Sequence, residues 1–157
     1  MTKKTDGRVD APTSPDGAAA LASDGLLSAW DREELDLAKL TREQQMLFAV
    51  AALRQEVSRG GFASYFSSGW SVLEPITPEA LRIVGESWTD AFLEAQAIAD
   101  RLNRDPGSMR DSAELKALDR RYQDLESETA VNSVLDAWAG WNRDAIFRSK
   151  KTLFGLL

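Results

Sequence analysis

The chain of 157 residues contains no cysteine and no histidine. The first absence removes disulfides, thiol nucleophiles, thiolate zinc sites and iron–sulfur ligation. The second removes imidazole bases, serine–histidine triads and histidine metal ligands. Long apolar runs are missing too, since nothing approaches the roughly 18 consecutive apolar residues that span a bilayer. Residues 1–24 carry Lys3 and Lys4 but no apolar core of a signal peptide. These features predict a cytoplasmic protein. Extended alternation of the kind that makes strands is confined to residues 72–76.

What the chain does contain is a modest acidic surplus, 25 Asp plus Glu against 19 Lys plus Arg, for a net charge of −6. That balance speaks against direct nucleic-acid binding, which needs clustered cations to neutralise phosphates, and against docking on anionic lipid. It suits a basic protein partner. Five Trp, six Phe and 43% hydrophobic residues supply a core, and the length fits one domain. Residues 1–24, rich in small and polar types, read as a flexible tail, leaving 25–157 as the folded domain.

Periodicity across that domain is helical. A first stretch covers 26–40, with a break near Asp31. Thr41 caps a second helix whose Met46, Val50, Leu53 and Val57 share a face, and Gly60-Gly61 ends it. Thr77-Pro78-Glu79 reads as a third start, with Thr77 as cap and Pro78 in the first position, on a helix running to Asn103. Residues 104–107 form a turn. Ser112 caps the next helix, with Leu115, Leu118, Tyr122 and Leu125 inward. A last helix over 128–148 turns Val131, Val134, Leu135, Trp138, Trp141 and Ala145 to the core. The expectation is an all-α fold, a single compact bundle of five to seven helices.

The surplus charge has a location. Residues 60–107 hold seven acids and three bases, whereas residues 108–157 hold eight of each. At about 100° per residue from a buried Trp88, Glu79, Glu86 and Asp90 fall opposite the core. Glu94 and Asp100 flank them within about 60°. Carboxylates stepping roughly 6 Å along the helix could imitate the spaced charges of a nucleic-acid backbone; the plainer reading is the solvated face of an amphipathic helix. Carboxylates also crowd at Asp31, Glu33, Glu34 and Asp36. The row at Glu86, Asp90 and Glu94 points outward, unlike the inward Glu of bundle metal sites. No catalytic residue, metal ligand or cofactor is assigned.

Around the glycine pair the sequence reads Glu56-Val57-Ser58-Arg59-Gly60-Gly61-Phe62-Ala63-Ser64-Tyr65-Phe66. It is not a phosphate-binding loop, because no strand precedes it and the spacing is wrong. An acid near a helix end, then Gly-Gly-Phe, then Tyr-Phe, resembles the signature of the bacterial DNA-mimic protein family. Residues 77–85, with Ala80-Leu81 and an apolar Ile83 two before Gly85, resemble that family's next helix. Leu118-Asp119 with Tyr122 resembles its later Leu-Asp-x-x-aromatic element. The similarity spans about residues 40–125. It implies an all-helical domain. Gly60, Gly61, Phe62, Tyr65 and Phe66 themselves read as structural, a helix stop followed by aromatics folding back into the core. The resemblance also implies a negatively charged surface able to occupy the DNA-binding face of a transcription regulator. The family usually has Asn before the glycines and Gln before the Tyr, where this chain has Arg59 and Ser64.

Three functions follow from these readings. The first is an acidic interaction protein that binds a basic partner, such as a DNA-binding regulator, through Glu79, Glu86, Asp90, Glu94 and Asp100. The second is an immunity-like or scaffold protein using an apolar surface that includes residues 153–157. The third is a carboxylate-dependent metalloenzyme, ranked below the binding roles. Self-association is compatible with all three.

Overall fold

Thr41 and Gln44 start the central helix. The Thr41 hydroxyl accepts from the Gln44 backbone N–H at 3.1 Å, and the Gln44 side chain accepts from the Thr41 N–H at 2.9 Å. Two of the donors that every helix start leaves unpaired are satisfied reciprocally. In the computed structural model, which describes residues 17–147, this helix, α2, runs Arg42–Ser67. Leu47, Phe48, Ala49, Val50, Ala52 and Leu53 are all completely buried. A helix apolar on every side belongs at the centre of a fold.

The other elements surround it. They are α1 (Ala18–Asp31), α3 (Thr77–Leu81), α4 (Glu86–Arg101), α5 (Pro106–Asp111), α6 (Ala113–Glu128), α7 (Val131–Trp141) and α8 (Arg143–Phe147), with 3-10 turns at Leu37–Lys39 and Gly69–Leu73. The described residues contain no strand. The fold is all-α, and the described residues form five long helices and three of only five or six residues. α1, α3, α4, α5, α6 and α8 pack against α2, α4 lies along α6, and α7 bridges α1 and α8. One continuous cluster of buried side chains joins them.

Several expected boundaries move, each for a local reason. α1 begins at Ala18, ahead of the Gly25 start expected from composition. Its cap comes from α7, where the Asp136 carboxylate accepts from the N–H groups of Gly17 and Ala19 at 3.1 and 3.0 Å. Thr77 does not cap α3. It lies inside the helix, buried, and its hydroxyl donates to the Leu73 carbonyl at 2.7 Å. The helix expected over 77–103 is two helices. After Leu81 the N–H groups of Ile83 and Val84 take short i→i−3 bonds, and Gly85 precedes a fresh start at Glu86. Two β-branched residues followed by glycine are poor helix interior. The turn expected at 104–107 contains the start of α5, with the Asp105 side chain accepting from the Ser108 N–H at 2.9 Å and Pro106 in the first turn. The helix expected over 128–148 splits as well: Glu128 ends α6, and the chain breaks again at Asn142. Trp141, expected inward, is 58% exposed.

Gly60 and Gly61 do end a helical run, but the chain re-enters a helix at once, so they form a kink inside α2. Gly61 has φ 74° and ψ −172°, a region that essentially only glycine occupies. The final turn, 62–67, thereby swings its aromatic residues into the core. Phe62 meets the Tyr122 ring edge-on, Tyr65 meets Phe92, and Phe66 stacks near Phe62.

Candidate functional site

The kink explains the glycine motif. The Asp119 carboxylate, on α6, accepts from the Phe62 N–H at 2.8 Å. It serves the last turn of α2 as an N-cap supplied by a different helix. A Cβ on Gly61 would lie 2.3 Å from one Asp119 carboxylate oxygen. Gly61 is therefore required both by its backbone angles and by the space Asp119 fills. Burial raises the Asp119 pKa, while the Phe62 N–H and the charge of Arg120 pull it back down. Glu56 accepts from the Ser64 hydroxyl at 2.9 Å, tying the two sides of the kink. Ser64 is one of the two departures from the usual motif; Arg59, the other, is exposed. Gly60, Gly61, Phe62, Tyr65 and Phe66 thus form one structural joint with Asp119 and Tyr122.

A second joint holds the far end of this aromatic cluster. Glu74, only 7% exposed, receives both terminal nitrogens of Arg104 at 2.6 and 2.8 Å and the Gln96 amide at 3.0 Å. Arg104 also donates to Asp100 at 2.9 Å and lies 5.3 Å above the Phe66 ring. Asn103 and Arg104 both adopt positive φ, 54°, to deliver that guanidinium. Its proton is held far more tightly than an ordinary arginine's, first by the hydrogen bond to Glu74. Tyr65, beside this pair, is pushed up to about 12 by burial. None of this was visible in the sequence, where Glu74 and Arg104 are single charges thirty positions apart.

The five acids assigned to the acidic row are all exposed, yet the structure divides them. Glu79 is on α3, not on the helix of the others, and it pairs with Arg42 of α2. Its expected place in a single helical row is corrected by the break at 82–85. Glu94 reaches Arg121 of α6 at 3.4 Å, and Asp100 holds Arg104 at 2.9 Å. Arg101, on the same helix, pairs with Glu114. Glu86 and Asp90 remain. No described Lys or Arg nitrogen lies within 4.0 Å of either carboxylate. They sit one turn apart near the start of α4, where the helix dipole favours negative charge.

Other groups offer little chemistry. A groove of about 630 Å³ between α2 and α6 is lined by Arg54, Val57, Tyr122 and Glu126. Its charges satisfy each other: Arg54 donates twice to Glu126, at 2.7 and 3.1 Å, and once to Asn132 at 3.0 Å. The Tyr122 hydroxyl donates to Glu126 at 3.1 Å, and burial holds its proton well beyond the usual tyrosine range. The crowd at Asp31, Glu33, Glu34 and Asp36 spreads out. Arg32 pairs with Glu34, and Asp36 accepts from the Ala38 N–H to start the first 3-10 turn. Among the described residues, no three carboxylates converge as a metal site would require. No helix of the described residues is long and apolar enough to cross a membrane. Residues 153–157, assigned to the alternative apolar surface, lie outside the described residues.

Comparison with known proteins gives one result. No curated protein and no solved structure matches the chain. The family model described as DMP19-like protein matches residues 38–141. That match covers well over half the chain, from the first 3-10 turn to the end of α7, and includes both joints. The chain belongs to the DMP19-like protein family, the DNA-mimic protein family that its motifs resemble.

Proposed function

We propose that this chain is an interaction protein of the DNA-mimic type, which covers the DNA-binding face of a basic partner such as a transcription regulator with the outer surface of α4. The observation that carries this reading is the pair Glu86 and Asp90, exposed and unmatched by any described cation, on a helix packed against α2, α3 and α6. A fixed pair of carboxylates one helical turn apart, roughly 6 Å, presents charge at about the spacing of adjacent phosphates. Family membership supports the same reading. Glu94 and Asp100 extend the negative edge, each already sharing its charge with an arginine.

The test is competition. The immobilised chain should retain a basic DNA-binding protein from host lysate at low salt and release it at high salt, as interactions steered by exposed charge do. Duplex DNA carrying that protein's site should displace it, and the Glu86→Gln/Asp90→Asn variant should retain much less. A retained partner that binds its DNA and this chain at once would refute mimicry. A second reading, a scaffold using an apolar surface, is favoured by Trp141, whose large ring is 58% exposed. It predicts retention that survives high salt and is lost on Trp141→Ser.

A further inference from the structure

The outer surface of α4 is not only acidic. Leu93 is 44% exposed, one of four large apolar side chains left so open among the described residues. Ala97, one turn on, is exposed as well. Glu86, Asp90, Leu93, Ala97 and Asp100 follow one another at intervals of four, three, four and three residues. That is the spacing of a seam along which a second helix packs. The seam is about 21 Å long at 1.5 Å per residue. Every one of its five residues is exposed. Its two borders are closed: Glu94–Arg121 and Arg101–Glu114 zip one side to α6, and Asp100–Arg104–Glu74 seals the other.

Charge along the seam is uneven. The first two positions are carboxylates that no described Lys or Arg meets. The middle two are Leu and Ala, a side chain that can insert and a small one that lets a backbone come close. The last is a carboxylate already neutralised by Arg104. A bare polycation would satisfy the first third and leave Leu93 in water. A helix with Lys or Arg at two facing positions and an apolar residue at the next would satisfy all of it.

Resting on the reading of α4 as the contact surface, we infer that the seam takes an amphipathic basic α-helix of the partner, with Leu93 as its apolar anchor. Recognition is then mixed: Glu86 and Asp90 set orientation and salt dependence, and Leu93 supplies a part that salt does not weaken.

The experiment titrates the full-length chain with two peptides of equal charge and follows the α4 amide signals by NMR. One is a capped, Ala/Gln-based helix carrying Lys, Lys, Leu and Ala at the four-three-four spacing; the other is an oligo-lysine. The helical peptide should bind more tightly, and its affinity should retain a salt-independent part. Leu93→Ala, an exposed and helix-compatible change, should weaken it by about fivefold or more, as truncating an interface anchor does. Glu86→Gln/Asp90→Asn should weaken both peptides. If the oligo-lysine binds as well as the helix and Leu93→Ala changes nothing, the seam is overturned while the acidic surface stands. If neither peptide moves α4, or the double carboxylate variant binds like wild type, the acidic reading of α4 falls and the seam with it.

Discussion

Replacing Gly61 by alanine tests the kink most directly. At φ 74° and ψ −172° a side chain is held in a conformation reserved for glycine, which costs about 1–3 kcal/mol. The new Cβ would also lie 2.3, 2.7 and 2.8 Å from the three carboxylate atoms of Asp119. No rotation of alanine relieves that contact, so Asp119 must swing away and release the Phe62 N–H. Losing a hydrogen bond to a charged acceptor costs a further roughly 1.5–3 kcal/mol. The sum, about 2.5–6 kcal/mol, is a large share of the roughly 5–15 kcal/mol that holds typical domains together. Urea unfolding followed by tryptophan fluorescence measures it, and the melting temperature should drop by roughly 10 °C or more. Asp119→Ala in the Gly61→Ala background separates the two parts. With the carboxylate gone the clash vanishes, so the double variant should lose less than the sum of the singles, by about 1 kcal/mol or more. A Gly61→Ala cost below about 1 kcal/mol, or strict additivity with Asp119→Ala, would show that the joint does not work this way.

Other predictions follow from the same contacts. Glu74→Ala leaves Arg104 without its principal acceptor among the aromatic rings and should cost roughly 3–5 kcal/mol in urea unfolding, with Glu74→Gln costing clearly less. Thr41→Ala removes the cap of α2 together with the 2.7 Å bond from the Thr41 hydroxyl to the Ala145 carbonyl; circular dichroism melts should register about 1–2 kcal/mol. Asp119 has a folded pKa above its ordinary value, so the folded state holds the proton more tightly than the unfolded one. Wild type should therefore lose stability relative to Asp119→Asn as pH rises through that raised pKa, and urea midpoints compared at pH 4 and pH 7 give the sign. The reverse trend would mean that the hydrogen bond from Phe62 outweighs burial.

The parts of the fold legible in the sequence are those whose cause is local. Thr41 and Ser112 each carry their capping signal locally and cap as their spacing predicts, whereas the glycine pair ends a helical run only to kink the chain into a further turn of α2. The misplaced boundaries have distant causes. α1 starts at Ala18 because Asp136, 119 positions beyond Gly17, caps it, and the local run of alanines and glycine holds no trace of that. The break after Leu81 was readable, since Ile83, Val84 and Gly85 are weak helix formers in a row, but the strong apolar period on both sides outvoted them. Asp105-Pro106 offers the same cap-and-proline pattern as Thr77-Pro78. The former, read only as part of a turn, starts α5 with Asp105 as its cap. At the latter, Thr77 is drawn inward to bond Leu73 and the helix begins one residue early.

Charge behaves differently from helix boundaries, because a sequence gives the sign of each side chain but not its neighbour. Five carboxylates were assigned to one acidic row, and three of them meet arginines from α2, α6 and the turn after α4. This changes the kind of partner that α4 can select. Two carboxylates that no described cation meets supply a weak, directional attraction that ordinary salt screens within about 8–10 Å. Such a pair does not hold a large basic surface by itself, and the chain-wide surplus is only six. Affinity must then come from apolar contact next to the charge, and on α4 the residue in that place is Leu93. If α4 is the contact surface, its acids decide which way a partner lies and its leucine decides how long the partner stays. A Leu93→Ala variant should therefore raise the dissociation rate, and Glu86→Gln/Asp90→Asn should lower the association rate. Stopped-flow measurement of the two variants separates these effects, and a slower association for Leu93→Ala with unchanged dissociation would contradict the assignment.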